Sequence, residues 1–218
     1  MVIQMIKLTA FDLDGTLGNT LPMCLKAFRA SITPYLAREL SYEEIASTFG
    51  LNEAGMMKKI VGDKWEPALQ DFHKLYKKIH HTCPAPYDGI PALIQYLKAN
   101  GVTVSLITGK GSESCSITLN QWGLDNVFSD ILTGGETRNT KAESMLFLLR
   151  KYGLSPSDLV YIGDTASDIK ECHKAGVTCL SALWGDSAEK EMISQENPDH
   201  VFYSIADLKE YITSHISL

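Results

Sequence analysis

Two aspartates one residue apart, Asp12 and Asp14, end an apolar stretch near the start of this 218-residue chain, and Gly15 and Thr16 follow at once. Similar polar clusters recur further on: Thr108-Gly109-Lys110-Gly111, Gly134-Gly135-Glu136, Lys141, and Gly163-Asp164-Thr165-Ala166-Ser167-Asp168. Brought into one crevice, Asp12, Asp14, Asp164 and Asp168 would join four carboxylates, with Lys141 as their main compensating cation. Such a group repels itself unless a further positive charge joins it. An all-oxygen donor set without thiols suits Mg²⁺, which uses few carboxylates and leaves places for water and a substrate phosphate. A threonine hydroxyl, a lysine and glycine-rich main-chain amides suit the remaining phosphate oxygens. The chemistry implied is phosphoryl transfer. One ionised aspartate can attack phosphorus and split a hard displacement into two easier ones. The other can protonate the leaving oxygen and later deprotonate the attacking water.

Taken singly, most of these residues have an ordinary explanation. An Asp-x-Asp pair behind a strand is commonly a solvated turn. A calcium loop is excluded, because the third Asp or Asn and the distal Glu are missing at the required spacing. Thr108 could be a turn residue or helix cap, and Lys110 lacks the spacing of a nucleotide-binding loop, since no glycine stands five residues before Gly109. The run from Gly163 to Asp168 could be a cap and an acidic first helical turn. Lys141 resists such an account. Thr140 and Glu143 have the spacing of a capping box, which sets Lys141 at the first helical position, where a cation opposes the helix dipole.

The elements that must position these groups follow from periodicity. Residues 5–13 form an apolar run of strand length ended by an Asp-Gly turn signal. From about Pro22 to His81 apolar residues recur three and four apart, the pattern of helices, with no strand signal between them. From Pro84 the text alternates: helix at 91–100, strand at 102–109, helix at 113–123, strand at 126–135, helix at 141–153, strand at 158–164, helix at 166–176 and strand at 177–185. That alternation specifies an α/β fold, a Rossmann-like three-layer core around a central parallel sheet. The helical stretch reads as an inserted all-helical cap, giving a core of residues 1–17 and 85–218 and a cap of residues 18–84. The segments GNT and TCPAPYDG bracket the insert as hinges, and Asn19 or Thr20 is expected to cap the helix that Leu21 and Pro22 begin. In an open parallel sheet, ligands bind beyond the carboxyl ends of the strands, where the polar clusters stand.

Bulk properties narrow the partners. With 44% hydrophobic residues the chain can bury a sizeable core. A net charge of −6 and scattered Lys and Arg argue against a nucleic-acid partner. The N-terminal apolar stretch is too short for a membrane span or a signal peptide and reads as the start of a buried first strand. Five cysteines without CxxC spacing fit reduced thiols in a cytoplasmic protein. A monomer or homodimer acting on a small phosphorylated metabolite is the expectation.

The motifs resemble those of the haloacid dehalogenase superfamily of Mg²⁺-dependent phosphatases, within it the phosphoglycolate phosphatase-like branch. DLDGT at 12–16, Thr108, Lys141 and GDTASD at 163–168 are similar to its four motifs, in order, and the resemblance runs from about residue 6 to residue 213, taking in ALWG at 182–185 and PDHVFYSIADL at 198–208. It implies that Asp12 is the nucleophile and a metal ligand, and that Asp14 is the acid/base, its main-chain carbonyl also on the metal. It implies that Thr108 and Lys141 hold the phosphoryl group with Gly109 as an amide donor, that Asp164 ligates Mg²⁺, and that Asp168 ligates it or orients its waters. The segment at 48–59 is the expected contact loop for the leaving group.

Three departures from the branch, Asn19-Thr20, Lys141-Ala142 and Asp88, leave these groups untouched. A true dehalogenase needs neither Asp14 nor a metal, and a phosphonate hydrolase needs a Schiff-base lysine from the cap, where Lys58, Lys59 and Lys64 read as solvated charge. A phosphosugar mutase shares all four motifs and stays open, as does a non-catalytic regulatory relative, although no expected catalytic group is missing.

Overall fold

The computed structural model describes residues 5–197 and 200–216. The first four residues of the apolar N-terminus, and Pro198 and Asp199 of the late segment, lie outside the described residues. Strand β1 (Leu8–Phe11) is buried along its whole length, as an inner strand of a parallel sheet must be. It pairs on one side with β2 (Thr103–Ile107) and on the other with β4 (Leu159–Gly163). With β3 (Ile131–Leu132), β5 (Thr178–Ala182) and β6 (Val201–Phe202) the parallel sheet has the order β3-β2-β1-β4-β5-β6. The chain builds outward from β1 to β3 and then restarts beside β1 with β4. The switch point, where open α/β sheets bind their ligands, therefore lies between the ends of β1 and β4.

Alternation along the strands makes two cores. Phe11, Leu106, Ile162 and Leu180 pack against α5 (Ile90–Ala99), α6 (Ser112–Trp122) and α10 (Ile205–Thr213). Leu8, Ala10, Tyr161 and Cys179 pack against α7 (Lys141–Tyr152), α8 (Ala166–Ala175) and α9 (Lys190–Glu196). This is the expected three-layer α/β arrangement. The parity continues past the end of β1. Leu13 joins the core that holds Phe11, so Asp12 falls on the face of Leu8 and Ala10, toward the helices that carry Lys141 and Asp168.

Between β1 and α5 the described chain is helical: α1 (Leu21–Ile32), α2 (Tyr42–Ala46), α3 (Glu53–Val61) and α4 (Trp65–Ile79). These helices enclose a third apolar cluster around Phe28, Ile45, Met57, Phe72 and Tyr76. Its stripe on α4, Ala68, Phe72 and Tyr76, repeats every four residues and is fully buried, the amphipathic pattern of a helix that stands on one face. All five cysteines are free. Among the described residues no helix is long and apolar enough to cross a membrane.

The strand expected at 126–135 is the main departure, since only Ile131–Leu132 is strand. Its first half runs beside β2 as a loop, with Phe128 sunk into a core and Ser129 donating to the Val104 carbonyl at 2.8 Å. Asp130 is then drawn sideways by Tyr152, whose hydroxyl donates to it at 2.6 Å. Apolar residues at strand spacing here serve burial without the ladder. Helices α9 and α10 were not marked by periodicity. A Ser204 cap that accepts from the Asp207 amide at 3.1 Å opens α10.

Phe72 is fully buried and meets Phe28 edge to face at 6.1 Å between centroids. Phe72→Ala is expected to cost about 3–5 kcal/mol, read as a lowered midpoint in urea unfolding followed by circular dichroism. A loss below about 1 kcal/mol would show that the third cluster is not a packed core.

Candidate active site

Asp12 leaves β1 in register, its amide donating to the Ile162 carbonyl at 2.8 Å. Its carboxylate is 6% exposed, with Oδ1 accepting from the Leu13 amide at 2.7 Å and Oδ2 from Lys141 Nζ at 2.7 Å. The same ammonium donates to Asp168 Oδ1 at 2.6 Å. Asp164, following β4 as Asp12 follows β1, completes the group. One carboxylate oxygen from each of Asp12, Asp164 and Asp168 lies within 4.8 Å of the other two.

Backbone shape makes room for this packing. Gly15 has φ +80, and a Cβ there would sit 2.0 Å from Asp164 Oδ2, so both conformation and contact require glycine. Thr16 then donates its hydroxyl to Asp164 Oδ1 at 3.0 Å. Asp168 is fully buried, and its Oδ2 takes hydrogen bonds from the Thr165 amide at 3.1 Å and hydroxyl at 2.7 Å. Its Oδ1 also accepts from the Tyr161 hydroxyl at 3.2 Å. With Lys141 this makes four donors, about the full acceptor capacity of a carboxylate. Asp168 is thereby a holder of Lys141 and of the first turn of α8, where it forms a capping box with Thr165.

The electrostatics follow from burial. The Asp12 carboxyl is raised to about 6, burial being the largest cause, with Lys141 opposing the rise and Asp168 adding to it. Asp164 is held well above the ordinary carboxyl range by burial and then by Asp12 and Asp168. Burial alone would lower Lys141, but Asp12 and Asp168 hold it above its ordinary value, fully protonated. Three carboxylates face one ammonium. The all-oxygen donors and the uncompensated negative charge fit a divalent cation.

Three expectations are corrected. Asp14 does not put its carboxylate in the cluster, so three carboxylates converge and not four. After the end of β1 the chain turns into an isolated bridge between Asp14 and Gly18, and the Asp14 carboxylate takes Lys110 Nζ at 3.3 Å and the Thr20 hydroxyl, both on Oδ1. Lys110 is thus a second buried cation, beside Lys141. Thr20 and Asn19 do not cap α1. Thr20 makes no cap hydrogen bond, since its hydroxyl is turned to Asp14 Oδ1, and Asn19 Oδ1 is buried without a donor. The capping box at Thr140 is likewise absent. Asn139 Oδ1 takes the Lys141 amide at 3.0 Å, and Glu143 pairs with Arg138 at 2.9 and 3.0 Å.

Thr108 is buried one strand away, just past the end of β2. Its hydroxyl oxygen accepts from the Lys110 amide at 3.2 Å, which leaves its proton for another acceptor. Open space surrounds the position a Cβ would take on Gly109. Sequence reasoning missed Lys110, Glu53, Thr16 and Thr165. A lysine directly behind an apolar strand was the available signal for Lys110. For Thr16 and Thr165 it was a hydroxyl next to an acidic motif residue.

These features define a doubly wound α/β protein with a cation-competent carboxylate centre at its switch point. The sequence pattern of the haloacid dehalogenase-like hydrolases matches residues 9–182, and the chain belongs to that family. It is similar to phosphoglycolate phosphatase 1 of Pseudomonas aeruginosa, 25% identical over 93% of this chain and 78% of that one. It is similar also to pyrophosphatase PpaX of Bacillus pumilus, 25% identical over 93% of this chain and 94% of that one. Among solved structures, CbbY of Rhodobacter sphaeroides in complex with xylulose-(1,5)-bisphosphate superposes with a TM-score of 0.77 at 17% identity, over 94% of this chain and 96% of that one.

In buffer free of divalent cations, Asp12 keeps its proton to about pH 6 in the folded protein, against about pH 4 in the unfolded chain. The folded value is the higher, so this group's contribution to stability is full below about pH 4 and is lost as pH rises through about 6. Calorimetric melting between pH 4 and pH 7 should show that loss in the wild type, and Asp12→Asn should lessen it, the raised Asp164 carboxyl contributing the remainder. Identical pH slopes for the two proteins would show that burial does not control this carboxyl.

Proposed function

We propose that the protein is a Mg²⁺-dependent phosphatase that hydrolyses a small phosphomonoester through an aspartyl-phosphate on Asp12. The observation that carries this reading is the Lys141 ammonium held between Asp12 and Asp168, at 2.7 and 2.6 Å, beside Asp164. A carboxylate so held is fixed in direction, and in this reading the phosphoryl group it receives meets Lys141, the Thr108 hydroxyl and the Gly109 amide.

In this mechanism Asp12 Oδ1 or Oδ2 forms a bond to phosphorus as the ester P–O bond breaks. Asp14 gives its proton to the departing oxygen, and the alcohol leaves. Water then attacks the acyl phosphate, Asp14 takes a proton from it, and inorganic phosphate departs with Asp12 restored. Lys141 neutralises charge on the phosphoryl oxygens and the Thr108 hydroxyl donates a hydrogen bond to them. Asp12 and Asp164, with the Asp14 carbonyl, would hold Mg²⁺, whose charge offsets the repulsion between carboxylate and phosphate. Asp168 positions Lys141.

Residues 18–84 act as a lid in this reading. The N-terminal turn of α3 lies on the core loops beside the site, with Asn52 donating its amide to the Gly135 carbonyl at 2.8 Å and its side chain to the Gly134 carbonyl at 2.9 Å. A substrate reaches Asp12 when this contact opens. The substrate class is a small phosphorylated metabolite, in line with the names of the relatives.

Purified protein with Mg²⁺ should release inorganic phosphate from p-nitrophenyl phosphate, and EDTA should stop it. Asp12→Asn should lower turnover by at least about a thousandfold, with acid-stable ³²P labelling of the wild type lost in the variant. Undiminished turnover in Asp12→Asn would overturn the mechanism, and transfer of phosphate back to the substrate without its release would make the protein a mutase.

A further inference from the structure

Lys110 takes no part in the chemistry above, yet it is 4% exposed. Its Nζ lies 3.3 Å from Asp14 Oδ1, 3.7 Å from Cys24 Sγ, 3.9 Å from Glu53 Oε1 and 4.6 Å from the centre of the Tyr76 ring. Asp14 follows β1, whereas Cys24, Glu53 and Tyr76 stand on α1, α3 and α4. A lysine of the α/β core therefore reaches into the helical block and back to the second aspartate of the first motif. Ordering a long side chain and taking its charge from water both cost free energy. Two carboxylates and an aromatic face offset that cost only while all of them are in place.

Glu53 is the partner that crosses from one block to the other. It is 5% exposed, and its carboxylate accepts from the Gly111 amide at 2.6 Å and the Ser114 hydroxyl at 2.5 Å, both at the start of α6. A Cβ at position 111 would lie 2.7 Å from Glu53 Oε2, so the seat is shaped around this carboxylate. Glu53 touches Lys110 only when α3 rests on the core.

We propose that Lys110 is a positioning residue for Asp14, and that Glu53 makes this positioning depend on the seating of the helical block. The inference rests on the reading of Asp14 as the group that protonates the leaving oxygen. Lys110 and Thr20 hold the same oxygen, Oδ1, which leaves Oδ2 as the oxygen to serve the ester. The proton passes from Oδ2 to the ester oxygen as the P–O bond breaks, and Lys110 keeps its own protons throughout.

The test compares kcat/KM, with Mg²⁺, for p-nitrophenyl phosphate and phenyl phosphate. Nitrophenolate leaves readily without a proton, whereas phenolate is the more basic leaving group and needs one. Lys110→Met should lower kcat/KM about a hundredfold for phenyl phosphate and less than about tenfold for p-nitrophenyl phosphate. Lys110→Arg should recover part of the difference. Glu53→Gln, which keeps the shape of the side chain, should shift the ratio in the same direction, and the double variant should be no worse than Lys110→Met. Should Lys110→Met fail to fold by circular dichroism, Glu53→Gln carries the comparison. Equal losses on both esters in folded variants would overturn the proposal and leave Lys110 a structural cation. A wild type that releases phosphate from neither ester would overturn the phosphatase reading itself.

Discussion

The ion triad of Asp12, Lys141 and Asp168 is the interaction on which the rest of the site depends. Charges this deep are tolerated only when paired in good geometry and when their spare hydrogen-bonding capacity is met. The fold answers both demands. Sheet parity aims Asp12 at the layer of α7 and α8, Lys141 enters from the first position of α7, and Asp168 is locked by Thr165 and Tyr161. Asp164 is the group left over. Among the described residues its carboxyl has no lysine of its own and takes the Thr16 hydroxyl on Oδ1. That imbalance is what makes the crevice a place for a cation.

Lys141 at a helix start also shows how tertiary contacts override a local rule. A cation on the first residue opposes the helix dipole, and the mismatch is small beside the two carboxylates that meet it at 2.6 and 2.7 Å. The local demand is handed to Asn139, which accepts the Lys141 amide in place of Thr140.

Much of this was legible in the sequence. Apolar runs that end in Asp, Thr or Gly marked β1, β2 and β4, and their polar ends fall together because parallel strands present the same end to one crevice. The class of fold, the run of helices between β1 and α5 and the convergence of Asp12, Asp164, Asp168 and Lys141 followed from that. Asp14 did not follow, because alternation predicts a side only while the chain remains strand, and here it turns at Gly15. Its partner Lys110 stands 96 residues later, and nothing in TGKG tells where a flexible side chain will point. The caps failed for a related reason. Thr20 and Thr140 have the right type and spacing, but the Thr20 hydroxyl goes to Asp14 and the Asn139 side chain takes the amide that opens α7, partners known only once the chain is folded.

The sheet ends on both sides in strands of two residues, Ile131–Leu132 and Val201–Phe202. Unpaired strand edges are templates on which another chain can add hydrogen bonds, and their hazard grows with length. Here each edge offers only a short row of free backbone groups, while the longer strands that build the site lie inside. The irregular path taken before β3, which defeated a simple reading of strand periodicity, thus also acts as a guard against strand-to-strand aggregation in a protein whose carboxylate crevice opens at the ends of a sheet.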